Sequence, residues 1–69
     1  MKLYFQHADG FRELICETDE EKYLGDALKD LHKRDPNYKT YYQRCWEDKD
    51  GFIWVDVGSY TQFYVIEKD

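Results

Sequence analysis

The chain has 69 residues and a mass of 8.5 kDa, with 15 acidic against 10 basic side chains and a formal net charge of −5; that length bounds it to one small domain burying roughly 7,700 Å², about 60% of its unfolded surface. With so few cations it lacks the phosphate-neutralising groups from which nucleic-acid binders draw most of their affinity. No apolar run approaches the ~20 residues of a membrane span, and Met1 to His7 lacks the continuous apolar stretch of a secretion signal, so the sequence reads as a soluble, cytoplasmic protein.

Lys2 to His7 and Phe11 to Glu17 are two strand-like runs separated by Ala8-Asp9-Gly10. A two-residue type I′ turn at Asp9-Gly10 would set Phe5 against Leu14 and Leu3 against Cys16, giving one consistent apolar face. A three-residue loop would instead set Phe5 against Glu13, so the first register is the expected one. Thr18-Asp19-Glu20-Glu21 has the form of a capping box, with the Thr18 hydroxyl accepting from the Glu21 N–H. Leu24, Ala27, Leu28 and Leu31 follow at helical spacing. Lys33 and Arg34 suit the negative end of the helix dipole, and Asp35-Pro36 turns the chain out of helix. A helix from about Asp19 to Arg34 is predicted, with Gly25 costing ~1 kcal/mol relative to Ala.

The second half reads as three strands, Tyr38 to Glu47, Phe52 to Val57 and Tyr60 to Glu67. Asp48-Lys49-Asp50-Gly51 supplies one turn and Gly58-Ser59 a type II′ turn, which sets Trp54 against Phe63 and Ile53 against Tyr64. One face then carries Ile53, Val55, Val57, Tyr64 and Ile66, the other Phe52, Trp54, Phe63 and Val65. The whole is an α+β domain of order β-β-α-β-β-β, an antiparallel sheet with one helix on one face. Its predicted core joins Leu24, Leu28 and Leu31 to Leu3, Phe5, Leu14, Ile53, Val55 and Val57.

Little in the chain speaks for catalysis or cofactors. His7 and Asp9 are the raw material of a metal site or general base, but nothing nearby completes a ligand set; His32, with Asp35 three residues on, complements the helix end. Asp48-Lys49-Asp50-Gly51 resembles the end of a calcium loop, yet the upstream ligand position is Trp46. Cys16 and Cys45 form no C-x-x-C pair and read first as two buried free thiols, with a disulfide or a reactive thiol as the alternative; Cys45 falls on the face of Tyr41, Phe52 and Trp54, where an exposed thiol stays open. The four glycines are dispersed and build no phosphate cradle. No enzyme, metal, cofactor or small-molecule substrate is expected.

The apolar set is unusual in holding 13 aromatics against 11 Ile, Leu and Val residues. One helix covers only one side of a five-stranded sheet, so Tyr41, Phe52, Trp54, Phe63 and Val65 are left as an apolar surface, with Gln43, Asp56 and Thr61 as its polar members. Either the sheet curls until its hairpins shield each other, or the face binds something. The first reading of function is a small acidic protein-interaction module, binding a protein partner or itself as a homodimer through these residues. The alternatives are a single-stranded nucleic-acid binder whose sheet aromatics stack bases, and an inhibitor mimicking nucleic-acid charge. In composition the chain resembles small accessory proteins of phages and mobile elements, some of which occupy or mimic nucleic-acid sites.

Overall fold

Short runs of β-branched and aromatic residues punctuated by Asp-Gly become strands, and the single leucine stripe becomes a helix. In the computed structural model, which describes residues 1–37, 43–58 and 61–69, the elements are β1 (Lys2–Gln6), β2 (Arg12–Glu17), α1 (Tyr23–Arg34), β3 (Arg44–Glu47), β4 (Ile53–Asp56) and β5 (Phe63–Glu67). The strands form one antiparallel sheet in the order β2-β1-β5-β4-β3. The α+β class and the element order are those predicted.

Both Asp-Gly hairpins use a three-residue loop. The His7 carbonyl accepts from Gly10 N–H (2.9 Å) and the Phe11 carbonyl from His7 N–H (2.8 Å); Asp48 and Phe52 repeat the pattern around Gly51. Only the glycine of each loop has positive φ, +93° at Gly10 and +87° at Gly51. A type I′ turn needs it at Asp9 too, where a Cβ disfavours it. The expected two-residue turn is therefore replaced by a type I turn closed by an αL glycine, and Phe5 pairs with Glu13. A bulge at Ile15 then shifts the register, so that Leu3 still opposes Cys16. Ile15 and Cys16 both pack on the core, whereas Leu14 turns to the opposite face at 57% exposure, which removes it from the predicted core.

The capping box is not formed. Asp19 does that work: its Oδ1 accepts from the N–H groups of Glu21 (2.9 Å) and Lys22 (3.0 Å) in a turn leading into α1. The Thr18 hydroxyl donates instead to Asp26 Oδ2 at 2.8 Å. Ala27 and Leu31 are the buried positions of α1, flanked by Tyr23 and Leu28, while Leu24 is 37% exposed. The helix is thus rotated from the all-leucine stripe toward Asp30, because buried Tyr64 needs an acceptor and its hydroxyl donates to Asp30 Oδ2 at 2.7 Å. Leu3, Phe5, Val55, Val57, Tyr64 and Ile66 complete the core.

β4 and β5 pair two residues out of the expected register: Trp54 opposes Val65 and Ile53 opposes Ile66. The loop is longer than a Gly58-Ser59 turn allows; Gly58 has φ +93°, and Ser59 and Tyr60 lie outside the described residues. A slip of two leaves every side chain on its predicted face. Cys45 opposes Val55 and so belongs to the helix side, not the face of Phe52 and Trp54. Neither thiol is fully buried: Cys16 is half-buried and Cys45 exposed.

Candidate interaction surface

The side of the sheet away from α1 is organised by register. Leu14, Tyr4, Val65, Trp54 and Trp46 are successive cross-strand partners, so one apolar row crosses all five strands. Arg12, Gln6 and Phe63 lie beside it on one flank and Glu17, Lys2 and Glu67 on the other. At the β3 end the indoles of Trp46 and Trp54 are parallel within 5° at a centroid distance of 6.2 Å. Phe63 meets both edge-on, at 6.4 Å and 5.6 Å. These are the offset-stacked and T-shaped geometries that aromatic quadrupoles favour.

Two devices shield the middle of the row. The Arg12 guanidinium reaches across β1 and β5 to lie 4.9 Å from the Phe52 ring and 5.5 Å from Trp54, and Val65 beneath is completely buried. Trp54 is anchored by its indole N–H, which donates to Asp48 Oδ2 at 2.7 Å. Asp48 Oδ1 also accepts from the N–H groups of Asp50 and Phe52. The indole N–H, with these backbone donors, holds the Asp48 carboxyl below its ordinary value. Asp48 thus serves the turn and Trp54, and the Asp48-to-Gly51 segment forms the hairpin turn that the sequence suggests.

The predicted surface residues therefore fare differently. Trp54 and Phe63 meet edge to face and Phe52 joins Trp54 under the Arg12 guanidinium, each of the three half-buried. Val65 is on the right face but is no contact residue, being buried under Arg12 and its neighbours. Tyr41 lies outside the described residues. Trp46, 41% exposed, and Leu14 are the accessible ends of the row and were not predicted. The signal for Trp46 is the Asp48-x-x-Gly51 spacing, which specifies the three-residue loop and hence places Trp46 opposite Trp54.

Charge is unevenly placed around this face. The β2–α1 connection (Glu17, Asp19, Glu20, Glu21), the β3–β4 turn (Glu47, Asp48, Asp50) and the end of β5 (Glu67, Asp69) all lie at one end of the sheet. That end sets nine acids against four lysines (Lys2, Lys22, Lys49, Lys68), a local net charge of −5. The remaining described residues carry six acids and five bases.

On the helix side a groove of about 590 Å³ is lined by Phe5, His7, Leu31, Arg34, Asp35, Val57 and Gln62. Two of its charged groups, Arg34 and His7, are engaged by the neighbouring acids Asp30 and Glu13. Arg34 bridges Asp30 (2.6 Å) and Glu13 (2.9 Å) while lying 4.1 Å over the Phe5 ring, and His7 Nε2 meets Glu13 at 3.0 Å. Arg34, then His7, hold the Glu13 carboxyl below its usual range. Burial, then the Asp30 carboxylate, push the Tyr64 phenol well above its ordinary value. Burial likewise raises the half-buried Cys16 thiol, and partial desolvation of its sulfur raises that of Cys45 although the residue as a whole is exposed, the opposite of what a nucleophilic thiolate needs. Among the described residues no three metal-binding side chains are gathered, and no helix is long and apolar enough to cross a membrane. Comparison with protein-family models, with curated proteins and with solved structures finds no match for the chain.

Proposed function

We propose that the chain is a non-catalytic protein-interaction module that docks a protein through the Trp46–Trp54–Phe63 end of its uncovered sheet face. The observation that carries this reading is the exposure of Trp46 at the rim of an ordered aromatic cluster. Rigid aromatics of this kind supply large contact area at little entropic cost and dominate interface energetics. The cluster is already rigid: Trp54 is fixed by Asp48 and the two indoles stack. A single-stranded nucleic acid would also find stacking surfaces here, but its phosphates would meet the acidic end of the sheet.

A photo-crosslinking residue in place of Trp46 tests the reading against the same residue in place of Lys29 on the exposed side of α1. Position 46 is expected to give a discrete protein adduct in extracts of the native host, and position 29 none. Adducts that are absent, or alike from both positions, remove the face as a docking surface. Light scattering of the purified chain decides whether the adduct partner is the chain itself.

A further inference from the structure

We infer that the partner of this face is a basic protein segment that places an arginine guanidinium on the exposed indole of Trp46. The inference rests on the reading of the face given above and adds the chemistry of its partner. Three independent observations select that chemistry.

The first is that the face already receives a guanidinium. Arg12 lies over Phe52 and Trp54 at distances where a cation is attracted by the ring quadrupole. Trp46 continues the same aromatic surface, parallel to Trp54 and one strand further out, with its outer part open. The second is the charge beside it. Asp48 is pinned against Trp54, ionised by the hydrogen bonds it accepts, and belongs to the end of the molecule where the local net charge is −5. A cation arriving at Trp46 gains from both the ring and this field. The third concerns self-association. A second copy laid face to face with the acidic ends together meets a like charge. Laid the other way, it meets a flank where Arg44 is engaged with Asp56 at 3.0 Å and Arg12 is bonded to Gln6 at 2.8 Å. Among the described residues, the molecule outside its acidic end carries six acids against five bases, so a second copy brings no net counter-charge and an external basic segment is the better complement. Arginine is favoured over lysine because a planar, weakly hydrated guanidinium stacks on indole while an ammonium stays solvated.

The test uses the full chain and a short peptide alternating arginine and glycine, with lysine-for-arginine and glutamate-for-arginine counterparts. Binding is followed by the two indole N–H signals in NMR and by tryptophan fluorescence. The arginine peptide is expected to move the Trp46 signal most. The chain should bind the lysine version about 3- to 10-fold more weakly and the glutamate version not at all, with affinity falling as salt rises from about 0.05 to 0.5 M. Trp46→Ala should lose about tenfold in affinity while Trp46→Phe keeps most of it, both retaining the parent circular dichroism. Equal binding by parent and Trp46→Ala, or arginine and lysine peptides that bind alike without moving either indole, overturns the inference in favour of diffuse attraction to the acids. Self-association abolished by Trp46→Ala, with no peptide binding, overturns the arginine partner but keeps the face as a docking surface. Neither peptide binding nor self-association removes both.

Discussion

Tyr64 shows how one buried polar group sets its neighbourhood. Its ring fills the core between Phe5 and Val55 while its hydroxyl must find an acceptor in a water-poor site. Asp30 supplies it, Arg34 neutralises Asp30, and Glu13 and His7 extend the chain of bonds to the sheet edge. Rotating α1 to bring Asp30 inward is what leaves Leu24 exposed and makes Ala27 and Leu31 the buried contacts. Leu31→Ala should therefore cost ~2–5 kcal/mol by urea denaturation, and Leu24→Ala less than ~1 kcal/mol. Comparable losses at the two positions would mean that the helix sits on its leucine stripe after all. The pH response follows from the same network. A phenol whose folded pKa is raised stabilises the fold fully below its unfolded value of 10.0 and loses that contribution as pH climbs toward the folded value. The urea midpoint should thus fall above pH 10, and Tyr64→Phe should shrink that alkaline fall. The carboxyls of Glu13 and Asp48 are lowered, so their contribution is present above pH 4.5 and 3.8 and fades as pH drops through the depressed values. Asp48→Asn should flatten the acid limb, with Trp54 fluorescence reporting the loss of its acceptor.

Elements were more legible than their registers, and the difference has a physical cause. Alternation and stripe fix which residues can share a face, so the strands of both hairpins, the helix and the two-sided apolar character of β4 and β5 could be read directly. Register depends on loop length, which at Asp9-Gly10 turns on whether the aspartate accepts positive φ. It does not, and the one-residue difference carries Leu14 away from Phe5 until the Ile15 bulge recovers the pairing of Leu3 with Cys16. The slip between β4 and β5 is of two residues and preserves every face, which is why Trp54 and Phe63 still touch although they are diagonal neighbours. Trp46 was lost because its side of β3 depends wholly on the Gly51 loop. That loop predicts its own test: with φ at +87°, Gly51→Ala is strained whatever the surrounding space and should cost ~1 kcal/mol. At the start of α1, Asp19→Ala should cost ~1 kcal/mol by removing the carboxylate from the Glu21 and Lys22 N–H groups, the latter keeping only its 3.2 Å bond to the Asp19 carbonyl. Thr18→Ala removes only the bond to Asp26, and should cost less. An Asp19→Ala midpoint unchanged from the parent would show that water satisfies those N–H groups equally well.

For the whole molecule, the consequence of antiparallel order is that charge scattered along the sequence is gathered in space. β2, β3 and β5 all finish at the end where α1 begins, so three separate acidic segments meet there. Part of that charge is compensated, since Lys68 pairs with Glu47 and the acids before α1 face the positive end of its dipole. The rest is uncompensated self-repulsion, which weakens the folded state most when counter-ions are scarce. The urea midpoint should accordingly rise as NaCl increases from ~10 mM to ~0.2 M, where the Debye length shrinks below the spacing of the three segments. Asp50→Lys, a reversal in the exposed β3–β4 turn, should raise the low-salt midpoint and flatten the salt dependence. Lys33→Glu, at the other end of α1, should leave that dependence close to the parent's, because the acids it joins are interspersed with bases. A parent midpoint that is flat or falls with salt would mean the acidic end is already neutralised within the fold. If the predicted rise is found, Asp50→Lys should also bind the arginine peptide more weakly while folding more stably. Gain in stability with loss of affinity from one reversal is the pattern expected when repulsive charge is kept for a partner to neutralise.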